Sequence, residues 1–137
     1  MGIEIYTDGA ARGNPGASAS GYVIYDPSGR QLAKNTIYNG IKTNNQAEYI
    51  AIIAALKEAG RLSGYREDVD LFSDSELVIN QLNGKYKVRN GSLILLYEEA
   101  SSIIRKFKSC RLHNVPREEE HISMVDRSLN ITLDSID

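Results

Sequence analysis

Ile3, Glu4, Ile5, Tyr6, Thr7 and Asp8 alternate between apolar and polar side chains, the period of a half-buried strand over residues 3–8. Residues 9–16 carry Gly9, Gly13 and Asn14-Pro15-Gly16 and read as a turn-rich loop. Two further β-rich runs, 21–26 and 31–38, flank Asp26-Pro27-Ser28-Gly29, a hairpin signal. The period then changes. Thr43-Asn44-Asn45-Gln46 offers a helix cap, and residues 47–62 are rich in alanine and leucine, with Gly60 and Gly64 near the end. A short buried strand is predicted over 69–73 and a short helix over 76–82, closed by Asn83-Gly84. Leu93, Leu96, Tyr97, Ala100, Ile104 and Phe107 form one stripe of a helix over 93–107. A strand over 111–115 and a helix over 125–133 complete the order βββ-α-β-α-α-β-α. That order predicts an α/β fold with a mixed five-stranded sheet, antiparallel in its first three strands and parallel after the first helix, flanked by helices.

The 137 residues suit a single domain, 1–137, with a real core, and neither a repeat nor a linker divides them. No apolar run is long enough to cross a bilayer, so no membrane partner is expected. The N-terminus lacks a basic segment followed by an apolar stretch, and Tyr6 stands where a myristoylation motif needs Ser or Thr. The single cysteine, Cys110, rules out an internal disulfide and suits a reducing compartment, the cytoplasm. The net charge of −2 weighs mildly against a nucleic-acid binder. Its distribution is uneven, however. Lys85, Lys87 and Arg89 surround Tyr86, Arg105, Lys106 and Lys108 follow, and Glu118-Glu119-Glu120 offsets them.

Three acids fall where chemistry is expected. Asp8 ends the first strand, Glu48 opens the first long helix, and Asp74 ends the fourth strand. Sites in open α/β sheets form at the carboxyl ends of parallel strands, so adjacency of strands one and four brings Asp8 and Asp74 together, with Glu48 within reach. Carboxylates that converge without Lys or Arg need a neutraliser, and a hard divalent cation such as Mg²⁺ is the natural one. Each acid taken singly also fits a turn or cap residue.

Tyr6-Thr7-Asp8-Gly9-Ala10 with Gly13-Asn14-Pro15-Gly16 resembles the opening of ribonuclease H type 1. Thr43-Asn44-Asn45-Gln46-Ala47-Glu48-Tyr49 and Ser73-Asp74-Ser75-Glu76-Leu77-Val78 resemble its next two signatures, in order, and 83–90 resembles the loop of its short members, those without a hybrid-binding domain. The resemblance implies an RNase H-like sheet in strand order 3-2-1-4-5. It also implies two-metal endonucleolytic cleavage of the RNA strand of an RNA–DNA hybrid, leaving 5′-phosphate and 3′-hydroxyl ends. Asp8, Glu48 and Asp74 then hold two Mg²⁺ ions, with Mn²⁺ as the alternative. Val125-Asp126-Arg127, with Asn130 and Leu133-Asp134 downstream, resembles the last helix and implies Asp126 as fourth ligand. Another register puts Asn130 near the metals, and its amide would bind them more weakly. On the favoured register Asp126→Asn is costly and Asn130→Ala costs little. His121 lies where relatives keep a mobile histidine and is an auxiliary candidate, with an idle loop histidine as the alternative.

For the substrate, Gly9, Ala10 and Asn14 suit close approach to a minor groove, and Asn44, Asn45 and Gln46 suit 2′-hydroxyls and base edges. The resemblance assigns Thr43, and secondarily Asn90, to a DNA-strand phosphate. Lys85, Lys87 and Arg89 suit salt-dependent backbone contacts. The partner is therefore a hybrid duplex, with double-stranded RNA left open, bound by a monomer. Two other readings remain: a hybrid-binding module of the same fold with weakened or lost catalysis, and a 3′–5′ exonuclease on a related fold.

Overall fold

A computed structural model describes residues 2–136. Strands β1 (Ile3–Gly13), β2 (Gly16–Tyr25) and β3 (Gln31–Lys42) precede helix α1 (Asn44–Ser63). Strand β4 (Asp68–Ser73), helices α2 (Glu76–Leu82) and α3 (Gly91–Ile104), strand β5 (Ser109–Asn114) and helix α4 (Glu120–Asp134) follow. The sheet order is β3-β2-β1-β4-β5. Strand β1 pairs antiparallel with β2 and parallel with β4, and β4 pairs parallel with β5. The expected class, element order and sheet are all present.

Several boundaries differ from the sequence reading. The segment read as a loop over 9–16 is mostly strand: β1 runs to Gly13 and turns through Asn14 and Pro15 into β2 at Gly16. Helix α4 starts at Glu120 rather than 125, because Glu119 caps it by accepting from the N–H groups of His121 and Ile122. Helix α3 stops at Ile104, and Phe107 beyond it is buried against Tyr65.

The two faces of the sheet are covered unequally. Ile5, Ile24, Val69 and Leu71 meet Tyr49, Ile52 and Leu56 of α1, with Val78 and Ile79 of α2 and Leu93, Ala100 and Ile103 of α3 in the same core. On the other face Tyr6, Ala19 and Val23 meet Ile122, Val125, Leu129 and Leu133 of α4. Among the described residues no helix is long and apolar enough to cross a membrane.

Candidate active site

The register Thr7↔Ser73 sets the end of β4 beside the middle of β1, so Asp74, just past β4, emerges next to Asp8, which lies within β1 opposite Gly21 and not at the strand end that the sequence suggests. Glu48 arrives from the first turns of α1. That helix is fixed at its start by a capping box: the Thr43 hydroxyl accepts from the Gln46 N–H, and the Gln46 side chain accepts from the Thr43 N–H. Gly9 permits the approach. A Cβ there would lie 2.4 Å from the backbone carbon of Ala47, so no side chain fits between β1 and α1.

One carboxylate oxygen each from Asp8, Glu48 and Asp74 lies within 4.8 Å of the other two. Asp8 and Glu48 are buried and Asp74 is half-buried. Burial, reinforced by the charges of Asp74 and Asp126, pushes the Asp8 carboxyl up to about 8. Burial raises Glu48 well above the usual carboxylate range, with Asp8 and Asp74 adding to it. Asp74 is raised by burial and pulled back by hydrogen bonds from Glu48 and Asp8 and by the positive charge of Arg117. The Gly9 N–H hydrogen-bonds both Asp8 and Glu48 and is a small counterweight. Three acids that resist joint ionisation need protons or a cation between them. Glu48 Oε1 is buried with no hydrogen-bond partner, an atom that a hard cation would satisfy. The cluster can hold a metal ion.

A cavity of about 320 Å³ opens over the acids, lined by Asp8, Glu48 and Asp74 together with Asn45, Arg117 and Asp126 among others. Asp126 comes from α4, close enough to hydrogen-bond Asp8. Gly21, directly opposite Asp8 in β2, lets that helix lie close, since a Cβ there would sit 2.9 Å from Leu129 Cδ2 and 3.1 Å from Val125 Cγ1.

The family model described as reverse transcriptase-like matches residues 6–125. The chain is 33% identical over 98% of its length to a bifunctional protein of Mycobacterium tuberculosis, of which it covers 36%. It is 38% identical over 84% of its length to a ribonuclease HI of Halobacterium salinarum, of which it covers 57%. The chain thus spans about a third to just over half of these curated relatives. The crystal structure of RNase H1 from Halobacterium salinarum superposes with a TM-score of 0.90 at 35% identity, covering 97% of this chain and 98% of that one. The chain belongs to the ribonuclease H type 1 family. LC11-RNase H1, solved in complex with an RNA/DNA hybrid, matches with a TM-score of 0.90 at 34% identity over 98% of each chain.

The other sequence-nominated residues of this ribonuclease H chain divide by location. Gly9, Ala10, Asn44 and Asn45 line the cavity. Asn14 and Asn44 lock the β1–β2 hairpin to α1: Asn14 Oδ1 accepts from the Asn44 N–H, and Asn44 Oδ1 from the Ala11 N–H. Thr43 and Gln46 are spent on the capping box, and Asn90 caps α3 by accepting from the Ser92 N–H. Lys85, Lys87 and Arg89 lie in the segment between α2 and α3, outside the cavity. His121 is not in a loop. It occupies the first turn of α4, its ring stacked 4.3 Å from Tyr6 and its Nδ1 3.1 Å from Glu119 Oε2, and it does not line the cavity. His113 is tied to Asp70 at 2.8 Å, and Cys110 is a half-buried thiol pushed up to about 12 by burial. Arg117 is the residue the sequence reading passed over. The signal was present in Val115-Pro116-Arg117, the segment before the last helix, but an arginine beside two glutamates reads as surface charge.

Proposed function

We propose that this chain hydrolyses the RNA strand of RNA–DNA hybrids internally, leaving 5′-phosphate and 3′-hydroxyl ends. The gathering of Asp8, Glu48 and Asp74 with a partnerless buried oxygen carries the reading, because all-oxygen donors at this spacing match a hard divalent cation. Asp8, Glu48, Asp74 and Asp126 would hold two Mg²⁺ ions, with Mn²⁺ able to replace them, and when bound these would supply an activated water and charge stabilisation for the leaving oxygen. The kinship with a protein that has been solved on a hybrid supports the substrate.

The chain's own groups do the rest. Arg117 faces the acids across the cavity and draws a phosphate toward them. Asn45, beside Gly9 and Ala10 in the lining, would bind a ribose 2′-hydroxyl, the group that separates RNA from DNA. Asn14, Thr43, Gln46 and Asn90 have their side-chain oxygens committed to the backbone, so they chiefly shape the groove. Lys85, Lys87 and Arg89 supply sequence-independent phosphate contacts. Residues 1–137 act as one catalytic domain.

Titration of Mg²⁺ and Mn²⁺ into a cleavage assay tests this, using end-blocked hybrid with all-DNA and double-stranded RNA duplexes alongside. Internal cuts confined to the RNA strand and dependent on the ion are expected. Cutting in the presence of chelator, or equal cutting of the all-DNA duplex, refutes the proposal.

A further inference from the structure

Asp126 is the one acid of the four that neither a central strand nor the buried face of α1 fixes. It sits on α4, half-exposed, with its carboxyl beside that of Asp8. One turn later on the same helix, Asn130 Nδ2 donates to Asp126 Oδ2 at 3.3 Å and to the Asp126 carbonyl at 3.1 Å. The other end of that amide is held too. Arg12, on the far end of β1, donates from Nη2 to Asn130 Oδ1 at 3.2 Å and to the Asn130 carbonyl at 3.4 Å. The same nitrogen lies 2.7 Å from Asp134 Oδ1. A guanidinium cannot accept a hydrogen bond, so it forces the amide oxygen toward itself and the NH₂ toward the carboxylate.

We infer that Arg12 and Asn130 are positioning residues for Asp126: the guanidinium sets the amide, and the amide aims the fourth carboxylate at the metal centre. The inference rests on the proposed role of Asp126. Magnitudes separate positioning from stability. The Arg12–Asp134 pair is exposed, with side-chain accessibilities of 38% and 70%, and pairs of that kind contribute little to stability. Outer hydrogen-bond partners of metal ligands, by contrast, typically matter roughly 10–100-fold in metal affinity or activity. The relay also joins the β1–β2 hairpin, which carries Gly9 and Ala10, to the helix that carries Asp126. Asn130 therefore acts on the fourth carboxylate and is not itself a ligand, and the sequence expectation that Asn130→Ala costs little is revised.

The test combines Asn130→Ala, Arg12→Ala, Arg12→Lys and Asp126→Asn, with Mn²⁺ affinity by calorimetry, kcat and KM on hybrid, and Tm. Asn130→Ala is expected to weaken Mn²⁺ binding and to lower kcat by about tenfold each. KM should change less than about twofold and Tm by no more than about 2 °C. Arg12→Ala should move the same quantities in the same direction by less, and Arg12→Lys should recover most of that loss. Adding Arg12→Ala to Asn130→Ala should do little more, because both act through one amide. Unchanged Mn²⁺ affinity and kcat in Asn130→Ala, or losses that merely follow Tm, overturn the inference. Should Asp126→Asn itself keep full activity, the proposed fourth ligand fails and the relay with it. An inactive Asp126→Asn beside an unaffected Asn130→Ala defeats the relay alone.

Discussion

The sheet separates two unequal halves, and the proposed metal site draws on both. On one face α1, α2 and α3 bury a continuous core that includes Ile5, Ile24, Tyr49, Ile52, Leu56 and Leu71. On the other, α4 alone covers Tyr6, Ala19 and Val23. Glu48 belongs to the thick half, and with Asp8 inside β1 and Asp74 just past β4 its position follows from packing. Asp126 belongs to the thin half, where helix packing brings it near and surface hydrogen bonds aim it. A carboxylate fixed by the core can be changed chemically without losing its geometry. One fixed at the surface depends on a few polar contacts.

The largest expected effect falls on the buried side. Asp8→Asn should lower cleavage by roughly a thousandfold, the several kcal/mol that a bound ion contributes to charge stabilisation. The same change should raise the Tm of the metal-free protein at pH 8. The carboxyl of Asp8 rises to about 8 in the fold, against 3.8 ordinarily, so its contribution to stability is full below 3.8 and disappears as pH climbs through 8. Thermal melts in chelator should thus show stability falling across that window in the parent chain, with Mg²⁺ reversing the fall. In Asp8→Asn the fall should shrink, leaving the part that the raised carboxyl of Glu48 contributes. A flat parent profile would mean that neither burial nor the neighbouring acids hold the Asp8 proton in the fold.

Gly9→Ala comes next. The added carbon would meet backbone on α1, the carbon and oxygen of Ala47 and the nitrogen of Glu48, all within 2.5 Å. Nothing there can rotate away, so α1 must shift off β1, at a cost of about 3 kcal/mol or more. Chemical denaturation should read that loss, accompanied by loss of Mn²⁺ affinity as Glu48 withdraws. Parental stability would show that the close approach is dispensable.

The sequence announces the thick half far more clearly than the thin one. Alternation in β1 and the long apolar stretch of α1 carry their own periodicity, and Glu48 and Asp74 sit close to element ends marked by caps and turns, whereas Asp8 falls where the alternation stops although the strand runs on to Gly13. The hairpin end was illegible because Ala10, Ala11, Arg12 and Gly13 lack β-branched side chains; pairing with Ala17, Ser18 and Ala19 makes them a strand. The first turn of α4 was hidden because its cap is Glu119, outside the usual Ser, Thr, Asp and Asn set. His121 was consequently read as a loop residue. The Arg12–Asn130 contact spans 118 positions, and no local pattern can announce such a pair.

The same alanine placed on the opposite face should give the smallest effect and the sharpest contrast. At Gly21 the added carbon would lie 2.9 Å from Leu129 Cδ2 and 3.1 Å from Val125 Cγ1, both ends of side chains, and 3.3 Å from the Asn35 carbonyl. Leucine and valine termini can turn or α4 can lift by a few tenths of an ångström, which places the cost near 1 kcal/mol, the low end for overpacking. A small lift still matters to a carboxylate aimed through Asn130, since catalytic geometry tolerates displacements of only about 0.5 Å. Gly21→Ala should therefore keep most of its stability in denaturant melts yet lose several-fold in kcat, the reverse of what Gly9→Ala does. If Gly21→Ala instead loses stability and activity in the same proportion as Gly9→Ala, then the two halves hold the site equally rigidly and the distinction drawn between them fails.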